Sequence, residues 1–229
     1  MSDNVTNVEP TEAQRELLDR HLSLIIEANK ISNLTRITGW EQGQLLHVED
    51  SLVGVPEVLD APEGRYADLG TGGGFPGIPV AIMSGRDTLL VDSVGKKTRA
   101  LDSVIDELGM SEVIKTYTGR AEDLALELPG EFAVITARAL SSLPSLIELG
   151  SPLLKRGGRM VCYKARPDDD EVERAVSLEK KLGMSLVSRR DVVLSDEETH
   201  RCIFVFEKVK KQKIKLPRRV GMAQRHPLA

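Results

Sequence analysis

The residues best placed to do chemistry form one run, Asp68-Leu69-Gly70-Thr71-Gly72-Gly73-Gly74-Phe75-Pro76-Gly77. Glycines at alternating positions let a backbone turn sharply and come close to a ligand across the end of a strand. Gly72 to Gly77 spells G-x-G-x-x-G, which by itself would suit a nicotinamide or flavin dinucleotide. Two features favour another adenosine ligand, S-adenosylmethionine. Asp68 puts a carboxylate two residues before Gly70, where it suits the amino and amide groups around a methionine-like moiety. Pro76 and Pro79 break up the helix start on which a pyrophosphate would rest. Asp92, about 20 residues beyond the loop, is the acid expected to meet a ribose diol in either case. Gly95-Lys96-Lys97-Thr98 resembles the end of a P-loop but fails it, because Leu90 stands where the upstream glycine is required.

If a methyl group is transferred, the fourth strand should end in the residues that handle its acceptor. Here it reads Ile135-Thr136-Ala137-Arg138-Ala139, with neither an Asn/Asp/Ser-Pro-Pro-aromatic motif for base amines nor a Pro-Cys nucleophile for pyrimidine carbon. Cys162 and Cys202, the only cysteines, lie in apolar runs and read as core thiols, so no disulfide framework, zinc site or other metal is expected. The remaining acceptors include guanine N7, a lone pair with no proton to lose. Positioning and electrostatics can then carry catalysis, and no general base is expected.

These residues need a scaffold. Arg65 to Lys164 alternates apolar runs with helical patterns, predicting strands at Tyr66–Gly70, Thr88–Asp92, Val113–Thr118, Phe132–Ala137 and Arg159–Lys164. Helices start from Gly77, Lys96, Arg120, Leu143 and Asp168, the last running to Leu182 before Gly183. Ser185–Leu194 and Cys202–Lys208 then form a hairpin, so one of them must be antiparallel. The expected fold is a doubly wound, Rossmann-like α/β sheet of the class I methyltransferase kind. Residues 1–63 form a helical extension, with a capping box at Thr11 and a second helix over Gln44–Leu59. Residues 64–208 form the core, and 209–229 a basic tail. Trp40 reads as a packing anchor, and His47 with Asp50 as a structural hydrogen bond at helical spacing.

The net charge of -4 conceals a division. Residues 208–229 hold eight basic and no acidic side chains, against twenty-three and thirty-five in the rest. As a unit that tail predicts salt-sensitive phosphate contacts. The chain start lacks a basic, apolar leader and no run reaches membrane-span length, so a soluble cytoplasmic protein is expected, and the sequons at Asn4 and Asn33 carry no meaning.

Asn33-Leu34-Thr35, His47-Val48-Glu49-Asp50-Ser51-Leu52, the Asp68–Pro79 loop, Val91-Asp92-Ser93-Val94-Gly95-Lys96-Lys97, Arg120-Ala121-Glu122, Arg138-Ala139 and Pro217-Arg218-Arg219 together resemble the bacterial GidB/RsmG family. These are S-adenosylmethionine-dependent methyltransferases of guanine N7 in 16S ribosomal RNA, and the likeness spans nearly the whole chain. It implies cofactor contacts at Gly70, Phe75, Ala121, Glu122 and Arg138, joining Gly72 and Asp92. It implies an RNA side formed by Lys96, Arg120, Lys164 and Arg201, with His200 the alternative to Arg201; Lys97, Arg218 and Arg219 are added from the basic runs. The implied partner is 16S rRNA in the small ribosomal subunit or its precursor, met by a monomer without membrane or metal. The chain departs from the family pattern at Ala137, Leu140, Tyr163 and Ala165. Two other readings stay open, a methyltransferase of protein or small molecules and a dinucleotide-binding oxidoreductase.

Overall fold

Thr11 starts the fold as its spacing to Gln14 predicts. In the computed structural model, which describes residues 8–229, the Gln14 amide donates to Thr11 Oγ1 and the Thr11 amide to Gln14 Oε1. Two amides that a helix start leaves orphaned are thereby satisfied. Asn4 and most of the chain start lie outside the described residues. α1 (Glu12–Ser32) buries Leu18, Leu22 and Ile25.

The helix expected over Gln44–Leu59 is instead broken into α2 (Trp40–Gly43), a π-helical turn (Gln44–Glu49), α3 (Asp50–Leu52) and α4 (Val55–Leu59). Packing explains the break at Gly54, where a Cβ would collide with the ring of Tyr163. That tyrosine instead enters and donates its hydroxyl to Ser51 O at 2.8 Å. Pro56 then sits in the first turn of α4, where a missing amide costs nothing. Trp40 is 46% exposed and anchors no core, contrary to expectation.

From Tyr66 the chain alternates as predicted: β1 (Tyr66–Leu69), α5 (Gly77–Ser84), β2 (Thr88–Asp92), α6 (Gly95–Glu107), β3 (Ile114–Thr118), α7 (Ala121–Glu127), β4 (Phe132–Arg138), α8 (Leu143–Gly150) and β5 (Leu154–Lys164). α9 (Asp169–Ser177) and α10 (Glu179–Leu182) divide the helix expected to be continuous, and β6 (Met184–Val193) and β7 (His200–Lys208) form the hairpin. The sheet order is β3-β2-β1-β4-β5-β7-β6, with β7 the antiparallel strand. Helices cover both faces, so β1 and β2 are buried throughout. One core holds Ile25, Ile78 and Leu101, the other Leu124, Leu146 and Phe204. The strand order reverses between β1 and β4, and ligands of such sheets bind outside the carboxyl ends at that point.

The basic tail is not a free arm. Ile214, Leu216 and Leu228 pack on the second core and Ala223 is buried, so apolar residues between the basic ones tie the segment down. Lys208 is buried, donating to Ser151 Oγ at 2.6 Å and Leu182 O at 2.9 Å. Burial lowers its pKa to about 8. Arg218, expected at phosphate, is spent on a bidentate pair with buried Glu148, both contacts at 2.7 Å. Arg219 and Arg225 remain exposed. After α10, Gly183 takes φ +68° where the returning tail crosses, and a Cβ there would strike the Lys210 backbone.

Candidate active site

The glycine loop turns at the end of β1, with φ +74° at Gly70, +58° at Gly72 and +83° at Gly74. L side chains disfavour that region and glycine does not. A buried chain of hydroxyls supports the turn. Tyr66 Oη and Thr136 Oγ1 are 2.6 Å apart, Thr136 Oγ1 donates to Asp68 Oδ1 at 2.6 Å, and the Gly77 amide donates to Asp68 Oδ2 at 3.0 Å. Asp68 is therefore not a ligand carboxylate, as the sequence suggested: it is fully buried, its pKa raised by burial, and it fixes the loop from below.

Beside the loop lies a cleft of about 290 Å³, lined by Gly70, Asp92, Ala121 and Glu122 among others. Asp92 ends β2 and accepts the Gly72 amide at 3.0 Å and the Val94 amide at 2.9 Å. These bonds orient its carboxylate and leave acceptor capacity for hydroxyl donors. A Cβ on Gly72 would make ordinary contact with the Gly70 and Leu34 carbonyl oxygens at 3.9 Å, so no protein atom crowds the loop there. The oriented acid at the end of β2 and the uncrowded loop backbone beside it suit an adenosine ligand. Lys97 and Arg120, expected on the RNA side, line this cleft.

A second pocket, of about 390 Å³, shares Ala139 with the first and is lined by His47, Asp50, Arg138, Tyr163, Lys164 and Arg201. The sheet explains this convergence. Arg138 and Lys164 end the parallel strands β4 and β5, and antiparallel β7 brings its beginning, with Arg201, to the same edge. Arg201 and not His200 reaches this pocket. Asp50 organises it: Arg138 Nη1 donates to Asp50 Oδ2 at 2.8 Å, and Arg201 donates to Oδ1 at 2.7 Å and to Oδ2 at 3.1 Å. Lys164 pairs with Glu171 at 2.8 Å. Lys96 lies apart, donating to Ile31 O at 2.6 Å. Sequence spacing had paired Asp50 with His47, but His47 Nε2 meets Thr35 Oγ1 at 2.7 Å. Burial holds Cys162 at a pKa of about 12, which keeps it an inert thiol.

Phe75 sits behind the loop, 5% exposed, between two imidazoles. Its ring lies 4.4 Å from that of His21 and 4.4 Å from that of His47. Burial lowers the pKa of His21 to about 3 and of His47 to about 4. Unfolded, each imidazole takes its proton near pH 6.5, so stability falls as pH drops below that value. By pH 4 the loss is on the order of 3 kcal/mol for His21 alone. Urea midpoints between pH 7.5 and 4 should fall steeply for the native sequence and more gently for His21→Leu; parallel curves would refute the assignment.

Residues 14–202 match the family described as GidB, rRNA small subunit methyltransferase G. A protein of Streptococcus sanguinis named "Ribosomal RNA small subunit methyltransferase G" is 34% identical over 225 residues, covering 96% of this chain and 94% of its own. Among solved structures, the B. subtilis tRNA methyltransferase TrmK superposes with a TM-score of 0.57 at 12% identity, covering 72% of this chain and 67% of its own. The cyclase SpnF reaches 0.58 at 15% identity, covering 88% and 97%. A methyltransferase and a cyclase on one scaffold show that these likenesses carry the fold and not the reaction.

Proposed function

The chain belongs to the GidB family of rRNA small subunit methyltransferases, and we propose that it methylates N7 of a guanine in 16S ribosomal RNA. S-adenosylmethionine is the cofactor, and its sulfonium supplies an electrophilic methyl group. The acceptor pocket carries the choice of atom. Asp50, its lining carboxylate, is bonded to two guanidiniums, and His47 has a pKa of about 4, so neither is suited to removing a proton at neutral pH. Guanine N7 asks for none.

In this reading Gly70, Gly72, Asp92, Ala121 and Glu122 hold the cofactor, and Phe75 supports the loop from behind. Arg138, in the second pocket and next to the Ala139 that both pockets share, orients the acceptor against the methyl donor. Lys164 and Arg201 hold the guanine O6 edge and the flanking phosphate, Lys97 and Arg120 meet the RNA backbone at the rim of the cofactor cleft, and Lys96 and Arg219 bind phosphate farther out. The major groove of A-form RNA is too deep and narrow for side chains, so the target base is unpaired or splayed out. Such a substrate is met in the cytoplasm, as free precursor or assembled subunit.

The test is transfer of tritiated methyl to naked 16S RNA and to small subunits, followed by borohydride and aniline cleavage at 7-methylguanine. Label at one such site is the expected result. Label on protein or a small molecule, or on RNA without cleavage, overturns the reading.

A further inference from the structure

One wall of the cofactor cleft comes from the far end of the chain. Gln224 lines it beside Ala121, Glu122, Leu140 and Leu149. It belongs to α11 (Met222–Arg225), a single turn in the segment that charge alone marked as an RNA arm. Three tethers hold this strap. The Gly221 amide donates to Glu122 Oε1 at 2.7 Å, Ser145 Oγ donates to Ala223 O at 2.7 Å, and Arg218 grips Glu148. The first tether is to the very acid expected at the cofactor, so the strap and the cleft wall are one construction.

We propose that Gln224 is a cofactor-binding residue that reads the adenine edge, making the C-terminal strap part of the nucleoside pocket. The inference rests on the S-adenosylmethionine reading above. Arg218, Gly221 and Ala223 each serve a tether, whereas Gln224 lines the cleft and its carboxamide is bonded to none of the described residues. Glu122, when ionised, only accepts hydrogen bonds, so it can accept one from the adenine amino group but cannot donate to a ring nitrogen. A carboxamide offers a donor and an acceptor side by side, the complement of adenine's amino group and neighbouring ring nitrogen. The side chain that completes recognition of adenine therefore lies about a hundred residues beyond the glutamate that begins it.

Calorimetry on the full chain tests this, with S-adenosylhomocysteine and its analogue lacking the purine 6-amino group. The native protein should prefer the adenine form by about tenfold. Gln224→Leu should lose about tenfold for S-adenosylhomocysteine and less for the analogue, which still offers the ring nitrogen, and so narrow the preference. Equal losses for both ligands would make Gln224 part of the wall only, and unchanged affinities would remove it from the site; either result overturns the inference while the cofactor reading stands. A native protein that fails to bind S-adenosylhomocysteine at all overturns both.

Discussion

Gly72→Val should abolish measurable binding of S-adenosylhomocysteine, a loss of more than about a hundredfold, while the chain still folds. Two effects act together. At φ +58° a branched side chain is strained by roughly 1–2 kcal/mol. Its atoms also crowd the Gly70 and Leu34 carbonyl oxygens, 3.9 Å from the new Cβ, and Gly70 lines the cleft. Relieving the strain would rotate the amide that donates to Asp92, and the acid would lose its orientation with it. Gly85 separates the two effects. It caps α5 at φ +65° with open space around it, so Gly85→Val carries comparable strain without touching the cleft. Thermal melts should show similar destabilisation for the two variants, and calorimetry a binding defect in Gly72→Val alone. Equal affinities would refute the assignment of the loop to the cofactor.

What the sequence reveals follows the range of the interactions involved. The βα alternation, the glycine loop and the caps at Thr11 and Gly183 depend on neighbours a few residues away, and they are legible. The breaks in the second helical stretch are not, because Gly54 answers to Tyr163, which is more than a hundred residues distant. The pairing of Asp50 with Arg138 and Arg201 spans separations of 88 and 151 residues, so a local rule assigned that aspartate to His47 instead. Asp68 is a different failure. It pointed to the right cofactor for a wrong reason, since its carboxylate braces the loop from inside the protein. The packing of the tail was not legible because counting charges ignores Ile214, Leu216 and Ala223, which pack on the core between the basic residues. Arg218 then pairs with Glu148, a buried acid that would otherwise lack compensation.

Arg138→Ala should lower kcat/KM on 16S RNA by about a hundred- to a thousandfold, the scale of losing one preorganised charged donor, at a stability cost of only about 1–2 kcal/mol. The asymmetry comes from Asp50. Removing Arg138 leaves that buried carboxylate bonded twice to Arg201, so no charge is stranded. Asp50→Ala makes the opposite cut. It takes the shared partner from two largely buried guanidiniums, and such unpaired charges cost about 3–5 kcal/mol. The pair of variants thus separates function from scaffolding, with Arg138→Ala active-site-poor but stable and Asp50→Ala deficient in both. Arg138→Lys keeps the charge, and because Nη1 alone donates to both Asp50 and the Leu46 carbonyl, one ammonium can replace it there but not the rest of the planar guanidinium, so it should recover stability more fully than rate. Urea denaturation and single-turnover methyl transfer measure the two quantities independently. If Arg138→Ala melts as Asp50→Ala does yet methylates at the native rate once folded, Arg138 is a strut between β4 and the π-turn, and orienting the acceptor falls to Lys164 and Arg201.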